Sequence, residues 1–286
     1  MAASIRDIKQ KVVATKKTSQ ITNAMNMVSA SKLKIAQNAT LNFRPYMQRI
    51  EDIIINLASN GEELNHPLLT KKEGDRTCYI IITSDRGLAG PFNSNLCKLL
   101  TSVIDEKKDI VGAMGVKGYL YTKQKKYRML DDYIHLPDDV IFENIYPFIR
   151  KVVNMYLEDE IDKVVLVYNH FVNTLSIVPT LKQILPIEDD FSEKEQRNHI
   201  YDYEGGINSI LDTILPLYIE NQVYGIILDS KASEHASRMT AMQNATDNAK
   251  EVISKLEIIY NRARQSAITL ELTDIIGGAN AANGGN

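Results

Sequence analysis

The longest regular pattern lies near the end of the chain. From Lys231 to Ile276, 46 residues pass with neither glycine nor proline. Within them Met242, Ala245, Ala249, Val252, Leu256, Ile259 and Ala263 fall at alternating steps of three and four. That spacing predicts the a/d seam of a coiled coil over three heptads. Three of the seven knobs are alanine, so the partner must approach closely. A helix of this length extends about 68 Å, at about 1.5 Å per residue. No compact domain encloses it, so it needs a partner. Gly277-Gly278 predict its end, followed by a frayed tail.

A second arm opens the chain. Ser4 is placed to cap a helix, with Asp7 three positions on reaching back. Ile5, Ile8, Val12, Thr15, Ser19 and Thr22 keep the same three-four alternation. Its middle is polar, and apolar knobs are expected again at Met25, Val28, Ile35, Ala39 and Phe43. Pro45 predicts a kink or stop near Arg44. Met47, Ile50, Ile54 and Leu57 predict that the helix resumes to about residue 58. Residues 59–75 are polar, with Asn60-Gly61 and His66-Pro67, and read as a connection.

Between the arms the period changes. Residues 78–83 (CYIIIT) are a short apolar, β-branched run, which predicts a buried strand. Helix is expected over 93–107 and 144–160, and further strands over 110–114, 163–168 and 175–186. Alternating strand and helix predict an α/β domain with a largely parallel sheet. Residues 188–206 read as an acidic loop, and helical spacing returns from Ile207, with Pro216 as a kink. The predicted architecture is α/β. N- and C-terminal helices form a long antiparallel coiled coil, residues 1–58 with 207–276, around a central α/β domain at 76–187.

Charge sharpens this picture. Residues 1–50 carry nine basic residues and one acid, a balance of +8, whereas residues 51–230 carry 18 basic and 29 acidic, a balance of −11. The first arm therefore expects an oppositely charged partner. Apolar runs fall far short of the roughly 18 residues that span a bilayer. The N-terminus lacks the apolar core of a secretory signal, and its lysine-rich opening reads as mature helix. Cys78 and Cys97 lack metal or disulfide spacing and read as inert thiols of a cytosolic protein.

Candidate chemistry is sparse. The loop Ser84–Gly90 follows a strand and precedes a helix, where α/β folds bind phosphates. It lacks both the Walker spacing and GxGxxG, and a tight structural turn is the better reading. Glycines at 112, 115 and 118 read as punctuation after a strand. None of His66, His135, His170, His199 and His235 has a metal-spaced second histidine. Glu188, Asp189 and Asp190 read as a solvated loop. The basic arm has no aromatic interleaving for base stacking, so nucleic acid is not expected. No catalytic residue, cofactor site or metal site is predicted. On residues alone, an interaction protein with a coiled coil competes with a nucleotide-binding α/β enzyme carrying helical dimerisation arms.

Several segments resemble one family. Ile21–Lys32 (ITNAMNMVSASK), Ser84–Gly90 (SDRGLAG), Phe92–Asn95 (FNSN), Ser233–Ala249 (SEHASRMTAMQNATDNA) and Asn261–Gly278 (NRARQSAITLELTDIIGG) are similar to the gamma subunit of F-type ATP synthase. The resemblance runs in order along the full chain. It implies a rotor: an antiparallel coiled-coil shaft within a hexamer of alpha and beta subunits. Its α/β foot would sit beside the epsilon subunit and the membrane c-ring, with one copy per complex. On that resemblance proton flow turns the shaft, ATP forms on the beta subunits, and this chain catalyses nothing alone.

The resemblance also implies partner contacts. Met25 falls beside the acidic lever of a beta subunit, and Lys32 closes the same motif. Arg86 falls on the foot-loop arginine that meets beta. Arg238, with Arg264, Gln265 and Thr269, matches polar positions that meet the beta catch loops. The chain departs from the family at Asn23 and Asn26, where many members carry lysine. It departs again at Leu270, in place of a common glutamine, and at Ala89-Gly90-Pro91. The cysteine-bearing insertion of chloroplast members is absent. A bacterial member, peripheral on the cytoplasmic side of the cell membrane, is therefore expected, with a processed organellar form as the alternative.

Overall fold

The computed structural model describes residues 5–59, 66–188 and 207–283. The Ser4 cap, part of the first connection, the acidic loop beyond Glu188 and His199 lie outside them. Two compact units emerge: residues 1–28 with 241–286, and residues 29–240. Two helices run through both, α1 (Ile5–Ser59) and α5 (Ile207–Asn283).

In the larger unit, β1 (Thr77–Ile82) is the central strand of five, because its residues are apolar enough to face a layer on each side. β2 (Ile110–Met114) and β4 (Lys163–Phe171) flank it, both parallel to it. β3 (Met129–Ile134) extends the sheet beyond β2, also in parallel. β5 (Ile177–Leu185) closes the other edge antiparallel to β4, with Pro179 opposite Asn169. The order is β3-β2-β1-β4-β5. The largely parallel sheet is as expected. β3 was not foreseen, and neither was α3 (Val116–Lys125).

Side-chain alternation along each strand sorts the core into two layers. Ile81, Val111, Ala113 and Val167 face α2 (Phe92–Val103), which buries Phe92, Leu96 and Leu100 against them. Cys78, Ile80, Ile82, Met114 and Leu166 face the opposite layer. There α4 (Phe142–Leu157) contributes Ile145, Phe148, Val152 and Tyr156. Ile50, Ile54 and Leu57 of α1 join them, with Leu211, Leu215, Ile219 and Val223 of α5. Two glycines seat α3 tightly against β1. Gly115 has φ +94°, and a Cβ there would lie 2.2 Å from the Thr83 carbonyl oxygen; one at Gly118 would lie 2.9 Å from Thr83 Oγ1. These glycines permit close helix–strand approach, a stronger role than punctuation. Farther along, Leu33 and Ala36 of α1 pack on Ala232 and Ala236 of α5.

In the smaller unit the helices run antiparallel. Lys16 bonds Glu257 at 2.7 Å, Thr22 bonds Thr246 at 2.7 Å and Asn26 bonds Gln243 at 2.5 Å, so partner numbers fall as α1 advances. Beyond residue 241 the less exposed positions of α5 include Met242, Thr246, Ala249, Ile253, Leu256, Tyr260, Ala263 and Ala267, a sustained four-three alternation, with the predicted knob Ala245 also half-buried. The predicted knobs Val252 and Ile259 are exposed instead. Apolar residues sit at adjacent positions here, so period alone selects either phase, and the structure selects the other. On α1, Val28 and Ile35 are likewise exposed, while Ser29, Leu33 and Ala36 are buried. Helix α1 carries through Pro45, and α5 continues past Gly277-Gly278 to Asn283. Ala279, Ala281 and Ala282, the best helix formers, follow the glycine pair.

Candidate partner-contact site

The loop after β1 is built from its own side chains. Asn93 Oδ1 accepts from the Ser84 backbone N–H at 3.0 Å, Asn93 Nδ2 donates to Ser84 Oγ at 2.7 Å, and Ser84 Oγ donates to the Arg86 carbonyl at 2.6 Å. Asp85 Oδ1 accepts from the Val116 N–H at 2.9 Å, while its Oδ2 accepts from the Leu136 N–H at 3.0 Å and meets His135 Nδ1 at 2.7 Å. At the start of α3, the Lys117 N–H donates to the Ser84 carbonyl and the Gly118 N–H to Thr83 Oγ1. The backbone N–H groups of Ser84, Val116, Lys117 and Gly118 are thus used within the protein. The structural-turn reading of this loop accounts for it, and Leu88, at φ 62°, completes the turn with its side chain in solvent.

One stretch of α5 grips this loop. Ser237 Oγ donates to the Ala89 carbonyl at 2.7 Å, and Arg238 Nε donates to that of Gly87 at 3.4 Å. Arg238 Nη2 donates to Glu234 Oε1 at 2.7 Å, and Lys231 Nζ donates to Glu234 Oε2 at 2.9 Å and to the Leu136 carbonyl at 2.6 Å. All three charged side chains are buried. A charge removed from water needs such partners, because alone it would cost several kcal/mol. His235 lies beside them, 3.4 Å from Asp138 Oδ1 and 3.5 Å from Arg238 Nη1. Burial, with Arg238 and Lys231 nearby, holds its imidazole below the ordinary value, against the pull of Glu234 and Asp138. Asp138 in turn pairs with Lys32 of α1. A cleft of about 510 Å³ is bordered by Asp85, Arg86, His135, Lys231 and Glu234.

The expected contact residues fall into two groups. Lys32, Arg86 and Arg238 share the larger unit. There Arg86 is exposed on the gripped loop, Arg238 is buried beneath it, and Lys32 is half-buried on Asp138. Met25, Arg264, Gln265 and Thr269 belong to the smaller unit. Met25 is half-buried, while the other three are exposed, off the buried series of α5; Thr269 Oγ1 donates to the Gln265 carbonyl at 2.9 Å. The supporting residues Asp85, Asp138, Lys231, Glu234 and His235 were not singled out as contacts. Lys231, Glu234 and Arg238 stand at i, i+3 and i+7, a spacing that was legible as a same-face charge row. Cys78 and Cys97 are buried, their thiols pushed up by desolvation to about 12 and about 11, well away from reactive thiolates.

Comparison with known proteins bears on the fold and the family. A family model described as ATP synthase matches residues 4–282. A chain of the Tetrahymena thermophila mitochondrial ATP synthase central stalk and c-ring is 26% identical, with a TM-score of 0.59 over 79% of this chain and 99% of that one. Two Euglena gracilis mitochondrial ATP synthase chains share the fold. One, from an OSCP/F1/c-ring structure in rotational state 3, has a TM-score of 0.71 at 20% identity and covers 98% of this chain and 95% of that one. The other, from a rotor in rotational state 1, has a TM-score of 0.68 at 18% identity over 92% and 98%. With its sheet, its two long helices and almost its whole length matched, the chain belongs to the ATP synthase family, among the gamma subunits.

Proposed function

We propose that the chain is the central-stalk rotor subunit of an F-type ATP synthase. It transmits torque between a proton-driven membrane ring and the catalytic hexamer of alpha and beta subunits, and has no active site of its own. On this reading residues 1–58 and 207–276 serve as the shaft and 76–187 as the foot, next to the epsilon subunit and the ring. The end of α5 carries the proposal. Ile268, Leu270, Leu272, Ile275 and Ile276 are each at least 49% exposed; at 100° per residue Ile268, Leu272, Ile275 and Ile276 share one face, and Leu270 lies on the opposite side. An apolar face left exposed on a helix, with a further apolar residue opposite it, is a surface for a partner to cover.

Met25 then meets the acidic lever of a beta subunit, Arg86 a beta subunit at the foot, and Arg264, Gln265 and Thr269 the beta catch loops. Arginine–carboxylate bonds at such places act as orientation-dependent latches. The buried Arg238 and the half-buried Lys32 support the surface that Arg86 presents. No described helix is long and apolar enough to cross a membrane, which supports attachment through the ring. The cytoplasmic side of a bacterial cell membrane is the proposed site. Recovery with mitochondria on fractionation would move it to the organelle of its solved relatives.

The chain should copurify with alpha and beta subunits at one copy per three pairs. A folded monomer that hydrolyses ATP unaided overturns the proposal. Calorimetric titration with ATP and Mg²⁺ should show no tight site on the isolated chain. Arg264→Ala combined with Gln265→Ala should weaken ATP-driven proton pumping while leaving the melting temperature in place; unaltered pumping removes the latch assignment.

A further inference from the structure

Helix α3 and the turn after it carry a charge pattern unlike their surroundings. Between Asp109 and Asp131 there are five basic residues and no acid, within a region whose balance is −11. These are Lys117, Lys123, Lys125, Lys126 and Arg128, all exposed. Several lysines elsewhere rest on carboxylates, as Lys108 does on Asp75 and Lys250 on Asp247. None of these five has a carboxylate partner among the described residues. Lys123 instead lies over the Tyr119 ring at 5.7 Å, and Lys125 over the Tyr121 ring at 6.0 Å.

The apolar part of the same face matters as much. Leu120 is 51% exposed and has Lys117 three positions before it and Lys123 three after. Residues so spaced share one face of a helix. Tyr119 and Tyr121 form half-buried shoulders beside it. On the inner side Gly118 and Thr122 are buried, so the cationic face points outward.

We propose that this face of α3 lies against an anionic lipid surface. Lysines reach phosphate headgroups while Leu120 and the tyrosine edges enter the headgroup boundary, the division of labour used by interfacial helices. Nucleic acid fits less well. The Tyr121 hydroxyl bonds Thr101 at 2.6 Å, and both rings lie under lysines, so neither presents a free face for a base. The choice of a bilayer rests on the stalk reading, which brings the foot close to a membrane.

The test is cosedimentation of the full chain with vesicles. Binding is expected with phosphatidylglycerol mixed into phosphatidylcholine, absent with phosphatidylcholine alone, and weakened by salt. Lys117→Gln with Lys123→Gln should weaken it about 25-fold, at roughly fivefold per cation. Leu120→Ser, which removes no charge, should weaken it several-fold with circular dichroism and melting unchanged. Lys250→Gln with Lys255→Gln makes the same charge change elsewhere and should leave binding intact. Full binding by the α3 variants, equal loss in the control pair, or tighter binding to duplex DNA than to the vesicles each overturns the proposal. Copurification with alpha and beta subunits is a separate measurement, so the rotor reading survives failure here.

Discussion

The two units bury their residues in different ways. The larger one stacks a five-stranded sheet between helical layers, and Leu100, Leu166 and Tyr156 reach zero exposure. The smaller one pairs two helices along a seam of threonine, alanine and half-buried aliphatics, with hydroxyls of Thr22 and Thr246 bonded at its heart. A sheet domain of this kind holds itself together. A slender helix pair with apolar residues left outside is shaped by what will enclose it. The same two helices thus serve a self-contained core along one stretch and leave apolar residues exposed along another.

That contrast can be broken by substitution, and the largest effect is expected at a buried charge. Glu234→Leu strands Lys231 and Arg238 away from water and should cost about 3–5 kcal/mol in urea unfolding. Leu166→Ala, in the middle of the sheet, should cost about 2–5 kcal/mol by the same measurement. Next comes Asp162, held at about 2 chiefly by the Arg76 side chain, which donates to it from Nε and Nη2. Its folded value lies below its ordinary 3.8. Its contribution is therefore full above that value and lost as pH falls through about 2. Asp162→Asn should lower the urea midpoint near neutrality, and the gap to wild type should close on acidification. The smallest effect belongs to the helix pair. Lys16→Ala removes an ion pair about half exposed at each end and should change stability by about 0.5 kcal/mol or less. A loss there as large as that of Leu166→Ala would erase the contrast.

Much of this was legible because period and burial agree where one face is apolar. The strands of the parallel core, the two arms and their antiparallel pairing all followed from such stretches. β3 escaped because Asp131 and Asp132 interrupt its apolar run, and α3 because it buries only Gly118 and Thr122. The seam phase escaped because Val252-Ile253 and Ile259-Tyr260 offer two apolar tracks side by side. At the contact site the arginines were legible through resemblance. Their support was not, because Asp85 comes from one loop and His135 and Asp138 from another, and only the tertiary fold brings the two together.

Pro179 has a consequence for the chain before it meets any partner. It stands in β5, at the margin of the sheet, where a proline turns its missing N–H outward. An unguarded margin presents a row of donors and acceptors on which another newly made chain can add a strand. The proline interrupts that row near its start. A free copy of the chain therefore carries, in one ring, an obstacle to strand addition by another copy along that edge.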